Sequence, residues 1–451
     1  MLGPFCDHGR RAMKELVAAG AALSLLIGVA AAGEPLPAGF EKIPSTHKQK
    51  TVVTVASAKE GSKLEDFCVD SKGQILALLG PSGSDSEGSG SALEGVLQLL
   101  KGPKAKPPKF DSAVHVFDAG GKLIEKWPVG FQGQAINTAP DGTVLVGGDG
   151  HIARFDPHGS KLHDAESPQM TYITTHPEEM RERAKEQLES DRAMYADQIK
   201  EFEDQLKELA DAKKKAKEEG DKKEKDAPVE QPREIAFDEN FLKQIISTYK
   251  QQLNVLEKQT VEETVEQVTS RARRINAICG SDGDVFVTCP AMQGYGYGVW
   301  RTDKQFGQAK EIVKSLSGCC GQMDVQCANG ELYVCENSRH RVAKFNRDGK
   351  EVAQFGKRAR DEEDPECFGG CCNPMNLCFN KDGELYVAES NGVVKRFTPA
   401  GKFVGLVGVA DVEPGCKNSC VAATADDKHL FYIDIHKSQI IVLARQDAAA
   451  K

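Results

Sequence analysis

The chain has 451 residues, with 58 Lys and Arg against 67 Asp and Glu, a formal net charge of -9, and 40% hydrophobic positions. This length allows two or three ordinary domains or one large array of repeats. The apolar content excludes a wholly disordered, collagen-like or multi-span membrane protein, and the acidic balance argues against nucleic-acid binding, which needs concentrated Lys and Arg. Cysteine is the unusual component, because twelve of the 14 cysteines lie between Cys279 and Cys420.

The first element is an apolar, alanine-rich run, residues 16–33, which follows basic residues and ends in small residues suited to a signal peptidase. This pattern predicts a signal peptide over residues 1–33 and an exported protein, periplasmic or secreted. A single membrane anchor is the alternative, so membrane contact is expected only if the segment stays uncleaved. Cleavage removes Cys6 from the 14 cysteines and leaves 13, an odd number, in an oxidising compartment.

Past Lys50 one pattern recurs: an apolar strand, a turn, a strand rich in Leu, Val and Tyr, a third strand ending in Phe-Asp or Phe-Asn, and a fourth strand after Gly-Lys. Four short strands of this kind predict one propeller blade. The clearest copies, 323–356 and 375–408, share Gly-Glu-Leu-Tyr-Val and Gly-Lys at nearly constant offsets. Weaker copies complete six units, at residues 66–127, 135–162, 275–313 and 421–443.

The last unit has only three strands, and an extra strand, residues 51–56, precedes the first unit. Pairing the extra strand with the last three would close the ring and remove its exposed sheet edges. The sequence therefore predicts an all-β fold, a six-bladed β-propeller. Blades 1 and 2 with the closing strand occupy residues 50–176, and blades 3 to 6 occupy residues 274–447.

The fourth unit contains the segment ENSRHRV, residues 336–342, followed by Phe345 and a turn at Asp348 and Gly349. This segment resembles the signature of an NHL-repeat blade, in which an acidic residue and His-Arg-Val precede a Phe and a Gly turn. The resemblance covers about residues 50–445 apart from two insertions and is best in the fourth and fifth blades. It implies a six-bladed NHL-like propeller but little about activity, since the family spans ligand binders, protein-binding scaffolds, sensor domains and a few lyases and hydrolases.

Two insertions interrupt the repeats. Residues 81–110 are rich in Gly, Ser, Pro and Lys and predict a flexible loop in the first blade. Residues 177–273 contain 25 acidic and 19 basic residues, and their apolar residues recur at steps of three and four, as in Leu188, Tyr195, Ile199, Phe202, Leu206 and Leu209, then Leu242, Ile245, Tyr249, Leu253 and Leu256. This spacing predicts an antiparallel α-helical coiled-coil hairpin that bends near Pro228 and Pro232 and stands out from the second blade.

The arm has two open interpretations: a self-contained hairpin, or a docking site for a partner or a second copy. Its mixed charge offers no single-sign patch for a membrane or a nucleic acid.

Three blades carry cysteines where the chain enters the innermost strand. Two consecutive blades begin with Gly-Cys-Cys-x-x-Met-[Asp/Asn], and the next carries Gly-Cys-x-x-x-Cys in register. The blade pattern places these segments on one face of the ring, around the channel mouth, and we call them the sulfur face. Its members are Cys319, Cys320, Cys371, Cys372, Cys416 and Cys420.

Three interpretations of the sulfur face stay open. Disulfides within or between blades are expected in an exported protein. Thiolates are also soft ligands that suit zinc, copper(I) or an iron–sulfur cluster, although the chain lacks the C-x-x-C spacing typical of such sites. A redox-active thiol pair is the third interpretation.

A second set of cysteines falls at equivalent points on the innermost strands and is expected to be buried: Cys68, Cys279, Cys327 and Cys378. Cross-strand bridges are candidates for the pairs Cys279–Cys289 and Cys327–Cys335.

Ordinary catalytic motifs are missing, among them G-x-S-x-G, H-E-x-x-H and a phosphate loop. His340 and His436 are predicted to be turn residues, and the aromatic loop at residues 293–298 is a candidate ligand contact. These patterns favour a scaffold that binds a protein or ligand through the arm or the propeller face. The alternative is a metal-binding redox protein or enzyme that uses the sulfur face.

Overall fold

The structure is a computed structural model that describes residues 43–56, 61–81, 112–220, 239–319, 321–359, 364–370, 372–413, 415 and 418–446. The predicted signal segment, nearly all of the predicted loop 81–110 and the predicted bend of the arm lie outside these residues. Among the helices of the described part, none has the length and apolar content needed to cross a bilayer.

The described strands form six antiparallel sheets of four strands each, one sheet per predicted unit. Blade 1 contains β2 (Ser62–Val69), β3 (Ile75–Pro81), β4 (Ala113–Phe117) and β5 (Leu123–Pro128), and blade 2 contains β6 (Ala135–Thr138), β7 (Val144–Gly148), β8 (His151–Phe155) and β9 (Lys161–Glu166). Blade 3 contains β10 (Ala277–Gly280), β11 (Asp284–Pro290), β12 (Tyr297–Asp303) and β13 (Lys310–Leu316).

The remaining three blades follow the same order. Blade 4 contains β14 (Val325–Ala328), β15 (Glu331–Glu336), β16 (Arg341–Asn346) and β17 (Glu351–Phe355), with a 3₁₀ turn at Asn337–Arg339. Blade 5 contains β18 (Asn376–Phe379), β19 (Leu385–Ala388), β20 (Val393–Phe397) and β21 (Phe403–Val409). Blade 6 contains β22 (Val421–Ala423), β23 (His429–Asp434), β24 (Gln439–Arg445) and the N-terminal strand β1 (His47–Thr54).

The predicted closure between the two ends of the chain is confirmed. Strand β1 pairs antiparallel with β24, with Val53 opposite Ile440, and becomes the outermost strand of blade 6. The innermost strands contact one another in the cyclic order β2, β6, β10, β14, β18, β22 and back to β2. A closed ring of six blades follows, because each innermost strand has a neighbour on both sides.

The Phe-Asp and Phe-Asn pairs of the repeat build the turn between the third and fourth strands. Asn346 Oδ1 accepts the main-chain N–H groups of Asp348 and Lys350, at 3.1 and 2.9 Å. Gly349 takes φ +83° in this turn, and a Cβ on it would lie 1.9 Å from the Ile312 carbonyl oxygen of blade 3. Gly is therefore required both for the left-handed backbone and for close approach to the preceding blade.

The second insertion is helical, as predicted, but it contains four helices. These are α1 (Pro168–Thr175), α2 (Pro177–Gly220), α3 (Glu239–Lys258) and α4 (Val261–Ala272). The returning arm is divided at Thr260, which caps α4 in a reciprocal capping box with Glu263. Helix α2 alone has 44 residues and is about 66 Å long at about 1.5 Å per residue.

The predicted apolar stripe of the arm is confirmed. Ile199 and Phe202 pack against Leu242 and Ile246, with further stripe residues packed around them. Arg192 on α2 donates hydrogen bonds to the carbonyl oxygens of Leu256 and Gln259, at 2.8 and 3.1 Å. This side chain holds the division between α3 and α4, because it binds a carbonyl in the last turn of α3 and the carbonyl of Gln259 between the two helices.

The base of the arm packs on blade 3, rather than standing out from blade 2. Both ends of the insertion meet blade 2 at Gly150, whose N–H donates to the Arg273 carbonyl at 2.7 Å. The apolar contacts, however, join α1, α2 and α4 to the second and third strands of blade 3 through Met170, Ile173, Met180, Val268, Ala272, Cys289, Met292 and Trp300. The insertion connects two blades, so its base is fixed by both.

Candidate functional site: the central channel and the base of the arm

The innermost strands share one register around the channel. In each blade a buried apolar residue lies opposite an equivalent residue of the second strand. These residues are Phe67, Ile136, Ile278, Val325, Leu377 and Val421. Side chains alternate along a strand, so the residues before and after this position both face the next blade.

The residue directly before this apolar position can carry a side-chain oxygen that forms a hydrogen bond to the next blade. In blades 1, 4 and 5 such an oxygen accepts the main-chain N–H of the following blade's apolar residue, at 2.9 Å in each case. The pairs are Asp66–Ile136, Asp324–Leu377 and Asn376–Val421. These bonds recur at one register position, so they are a built-in connection between neighbouring innermost strands.

Cys420 occupies this same position in the last blade. Its Sγ donates to the main-chain oxygen of Phe67 in blade 1, at 3.2 Å. Burial raises the pKa of the Cys420 thiol, and the carboxylate of Asp66 raises it further. A thiol kept protonated is a hydrogen-bond donor, and this one links the last blade to the first.

Burial also perturbs the two channel carboxyl groups. It raises the pKa of Asp324 to about 7, against the opposing effect of the hydrogen bond from Leu377. It raises the pKa of Asp66 to about 6, against the bond from Ile136. Both groups are therefore ionised less readily than an exposed aspartate, because a charge in the channel has lost its water.

A cavity of about 280 Å³ lies in the channel among these groups. Asn137 Nδ2 donates to Gln326 Oε1 at 2.9 Å, which connects blades 2 and 4 across the channel. Gln322 Oε1 accepts the N–H of Ser419 at 2.9 Å, which connects blades 4 and 6. The polar lining is thus largely used in bonds that hold the ring together.

The structure describes half of the predicted sulfur face. Cys319 precedes β14, where its N–H donates to Asn337 Oδ1 at 2.8 Å. Cys372 is buried before β18, and Cys420 lies in the channel lining. The other three, Cys320, Cys371 and Cys416, lie outside the described residues. Within the described part, no three Cys, His, Asp or Glu side chains form a group that could hold a metal ion.

The second set of cysteines lies on the innermost strands, as predicted, but its register needs a correction. Cys68, Cys279 and Cys378 occupy one equivalent position, whereas Gln326 takes that position in blade 4. Cys327 comes one residue later and therefore faces the preceding blade. The offset is visible in the sequence from the preceding methionines, because Cys327 comes four residues after Met323 whereas Cys378 comes three residues after Met375.

The candidate bridges Cys279–Cys289 and Cys327–Cys335 are wrong in register. Phe286 is the cross-strand partner of Cys279, and Leu332 is the partner of Cys327. Cys279 instead has a thiol neighbour in the next blade, because its Sγ lies 3.0 Å from the Sγ of Cys327.

The ENSRHRV segment of blade 4 supports the ring. Glu336 is fully buried and accepts the N–H of Ser317 at 2.8 Å, which ties blade 4 to the end of blade 3. Arg341 pairs with the same carboxylate. His340 is a turn residue with φ +53°, as predicted, and His436 lies in the equivalent turn of blade 6.

The aromatic loop, residues 293–298, lies against the arm. The Gly294 N–H donates to Gln187 Oε1 of α2 at 2.7 Å, so the arm fixes the loop. The Tyr295 side chain remains 82% exposed. Its phenol lies within electrostatic range of Tyr195 on α2 and Arg271 on α4. This loop and the arm therefore present one shared surface.

No protein-family model matches the chain, and no curated protein matches its sequence. The chain is similar in structure to a gluconolactonase from Xanthomonas campestris, with 10% identity over 92% of this chain and 99% of that chain and a TM-score of 0.38. It is also similar to virginiamycin B lyase from Staphylococcus aureus, with 9% identity, 88% and 99% coverage and a TM-score of 0.39.

A third similar structure is the WD40 domain of Neurospora crassa Pan2, with 7% identity, coverage of 90% of this chain and 98% of that chain, and a TM-score of 0.40. Scores and identities this low carry no argument about activity. The assignment of a six-bladed propeller rests on the six sheets and their closure.

Proposed function

We propose that the protein is an exported, NHL-type propeller that acts as a binding scaffold, and that a protein partner docks at the base of its helical arm. The observation that carries this proposal is the construction of the arm. Its distal apolar cluster consists of arm residues alone, whereas its base is fixed to blade 3. A rigid appendage that takes no part in closing the ring is well placed to present a surface to another molecule.

The docking surface is the region around Tyr295. This side chain is the most exposed of the large hydrophobic residues in the described part, yet its loop is held by the arm. Aromatic and Arg side chains on a fixed backbone provide much of the binding energy of protein interfaces, since little conformational entropy is lost when they are buried. Tyr295 with Arg271 offers this combination.

Affinity capture from the native source, followed by quantitative mass spectrometry, tests the docking proposal. We expect the substitution Tyr295→Ala to reduce recovery of one protein by about tenfold, as for a hot-spot residue. Deletion of residues 193–255, rejoined by a short Gly-Ser linker, should leave a folded ring, since Arg192 and Leu256 are already in contact. It should lower recovery less than Y295A does, because it removes Tyr195 but keeps Gln187, which holds the Tyr295 loop. Leu162→Ala is the control, because Leu162 is 54% exposed on the outer strand of blade 2.

Equal recovery with the wild type, Y295A and the deletion variant, together with an unchanged oligomeric state, would refute a docking role for the arm. A loss with L162A as large as that with Y295A would show that the contact is not localised at the arm.

For the sulfur face we propose a structural role rather than a metal site. Cys420 supports this, since its thiol is already used to join blades 6 and 1. Elemental analysis of the purified protein should find only substoichiometric iron, copper and zinc. Stoichiometric metal that is lost in the Cys371→Ala and Cys372→Ala double variant would overturn the proposal and favour the redox or enzymatic alternative.

A further inference from the structure

The interface between blades 3 and 4 contains two thiols in direct contact. Cys279 on β10 faces blade 4, and Cys327 on β14 faces blade 3, so both point into one apolar cluster. Their sulfur atoms are 3.0 Å apart. This is closer than the about 3.5–4.0 Å at which carbon atoms pack, and about 1 Å longer than an S–S bond.

The contact depends on the register offset of blade 4. If Cys327 occupied the same position as Cys68, Cys279 and Cys378, it would face blade 5 and meet no thiol of blade 3. Its place one residue later turns the side chain back towards Cys279. The described part of blade 3 therefore supplies one sulfur and blade 4 the other, from strands that are distant in sequence.

We propose that Cys279 and Cys327 form a disulfide that joins the innermost strands of blades 3 and 4. The separation favours a disulfide over a shared metal ion, because two thiolate ligands of one tetrahedral zinc lie about 3.8 Å apart when each Zn–S bond is about 2.3 Å. The inference goes beyond the scaffold function and does not depend on the arm. Export would supply an oxidising compartment, but the reaction below is tested without it.

The two cysteines differ in access, which sets the order of the steps. Cys327 is partly exposed, whereas Cys279 is only 2% exposed. Both line a groove of about 480 Å³ at the channel end opposite the sulfur face, beside Asp70 and Pro140. An oxidant that enters this groove meets Cys327 first.

The oxidant is a small disulfide such as oxidised glutathione. The thiolate of Cys327 attacks one glutathione sulfur, a mixed disulfide forms, and the departing glutathione thiolate takes up the proton that Cys327 lost. The thiolate of Cys279 then attacks the Cys327 sulfur of the mixed disulfide and releases the second glutathione as a thiol. Two protein thiols are oxidised, and one glutathione disulfide is reduced to two thiols.

Mass spectrometry of the full chain tests this proposal. The reduced protein is incubated with oxidised glutathione, alkylated and digested at aspartate and glutamate. These cleavages separate Cys279 from Cys289 through Asp282 and Asp284, and Cys327 from Cys335 through Glu331. We expect a peptide pair linked through Cys279 and Cys327 and near-complete loss of alkylation at both. Recovery of both cysteines fully alkylated in the wild type would overturn the proposal without the need for any variant.

Single substitutions test the order of attack. In Cys279→Ala, Cys327 should stop at the mixed disulfide and carry one glutathione, whereas in Cys327→Ala the buried Cys279 should carry none. Cys289→Ala is the matched control in blade 3 and should keep the link, because Cys289 is equally buried but packs among the arm residues rather than in the cluster that holds Cys327. A link lost in C289A, or glutathione trapped only on Cys279, would contradict the assignment.

Discussion

The substitution Val53→Asp is expected to lower the free energy of unfolding by about 4 kcal/mol, because it removes a buried aliphatic side chain and places a charge in an apolar cluster. Val53 is 4% exposed and packs in the cluster between blade 6 and blade 1. It lies opposite Ile440, and one of its methyl groups is 2.8 Å from the position of a Cβ on Gly121 of blade 1. The site leaves no room for a hydrated carboxylate.

The adjacent residue provides the control. Val52 is in the same strand and 39% exposed, so Val52→Asp should cost about 1 kcal/mol or less. Denaturant unfolding followed by the fluorescence of the two buried tryptophans, Trp127 and Trp300, measures both variants. Equal losses would show that β1 does not hold this register, since a slip of one residue would exchange the two faces of the strand.

The ring could be predicted from sequence because its evidence is repeated. Each unit contains the same alternation of strands and turns. The fourth strand that the last unit lacks is supplied by the extra strand before the first unit. The arm was predicted for a similar reason, since its apolar residues recur over many helical turns. The break between α3 and α4 at Thr260 is marked by a capping-box sequence, Thr followed by Glu263 three residues later. The apolar stripe continues on both sides of this break, so the stripe alone predicts one unbroken helix.

The channel was harder to predict, because its contacts join residues that are distant in sequence. The Asp or Asn that ends the pattern Gly-Cys-Cys-x-x-Met-[Asp/Asn] was visible in two blades, as Asp324 and Asn376. The sequence pattern points to the cysteines as the functional residues. In the structure, however, the side-chain oxygens of Asp324 and Asn376 accept hydrogen bonds from the next blade. The contact of Cys279 with Cys327 depends on a one-residue offset between blades. A repeat pattern that is common to all blades does not reveal such an offset in one of them.

The Asp324 carboxyl should make a large contribution to the pH dependence of the free energy of unfolding. Burial raises the pKa of this carboxyl to about 7, whereas an unfolded aspartate titrates near about 4. Between these values the folded chain holds a proton that the unfolded chain has lost. Raising the pH therefore destabilises the fold: the contribution is fully present below about pH 4 and is lost as the pH rises through about 7.

Asn376 shows that an amide can replace the carboxyl at this position. Its Oδ1 accepts the N–H of Val421 at the same 2.9 Å as Asp324 accepts that of Leu377. Asp324→Asn should therefore keep the connection between blades 4 and 5 and remove the titration. Relative to the wild type, its free energy of unfolding is expected to gain about 3 kcal/mol between about pH 5 and about pH 8.

The reciprocal substitution, Asn376→Asp, is the matched test, because it introduces a carboxyl at a position that is 6% exposed. It should steepen the loss of stability with pH, whereas D324N should flatten it. Denaturant titrations of the three proteins across this pH range measure the slopes directly. Parallel curves for the wild type and D324N would mean that the channel leaves the Asp324 carboxyl as acidic as an exposed one. In that case water, rather than the packed ends of the innermost strands, would solvate the centre of the ring.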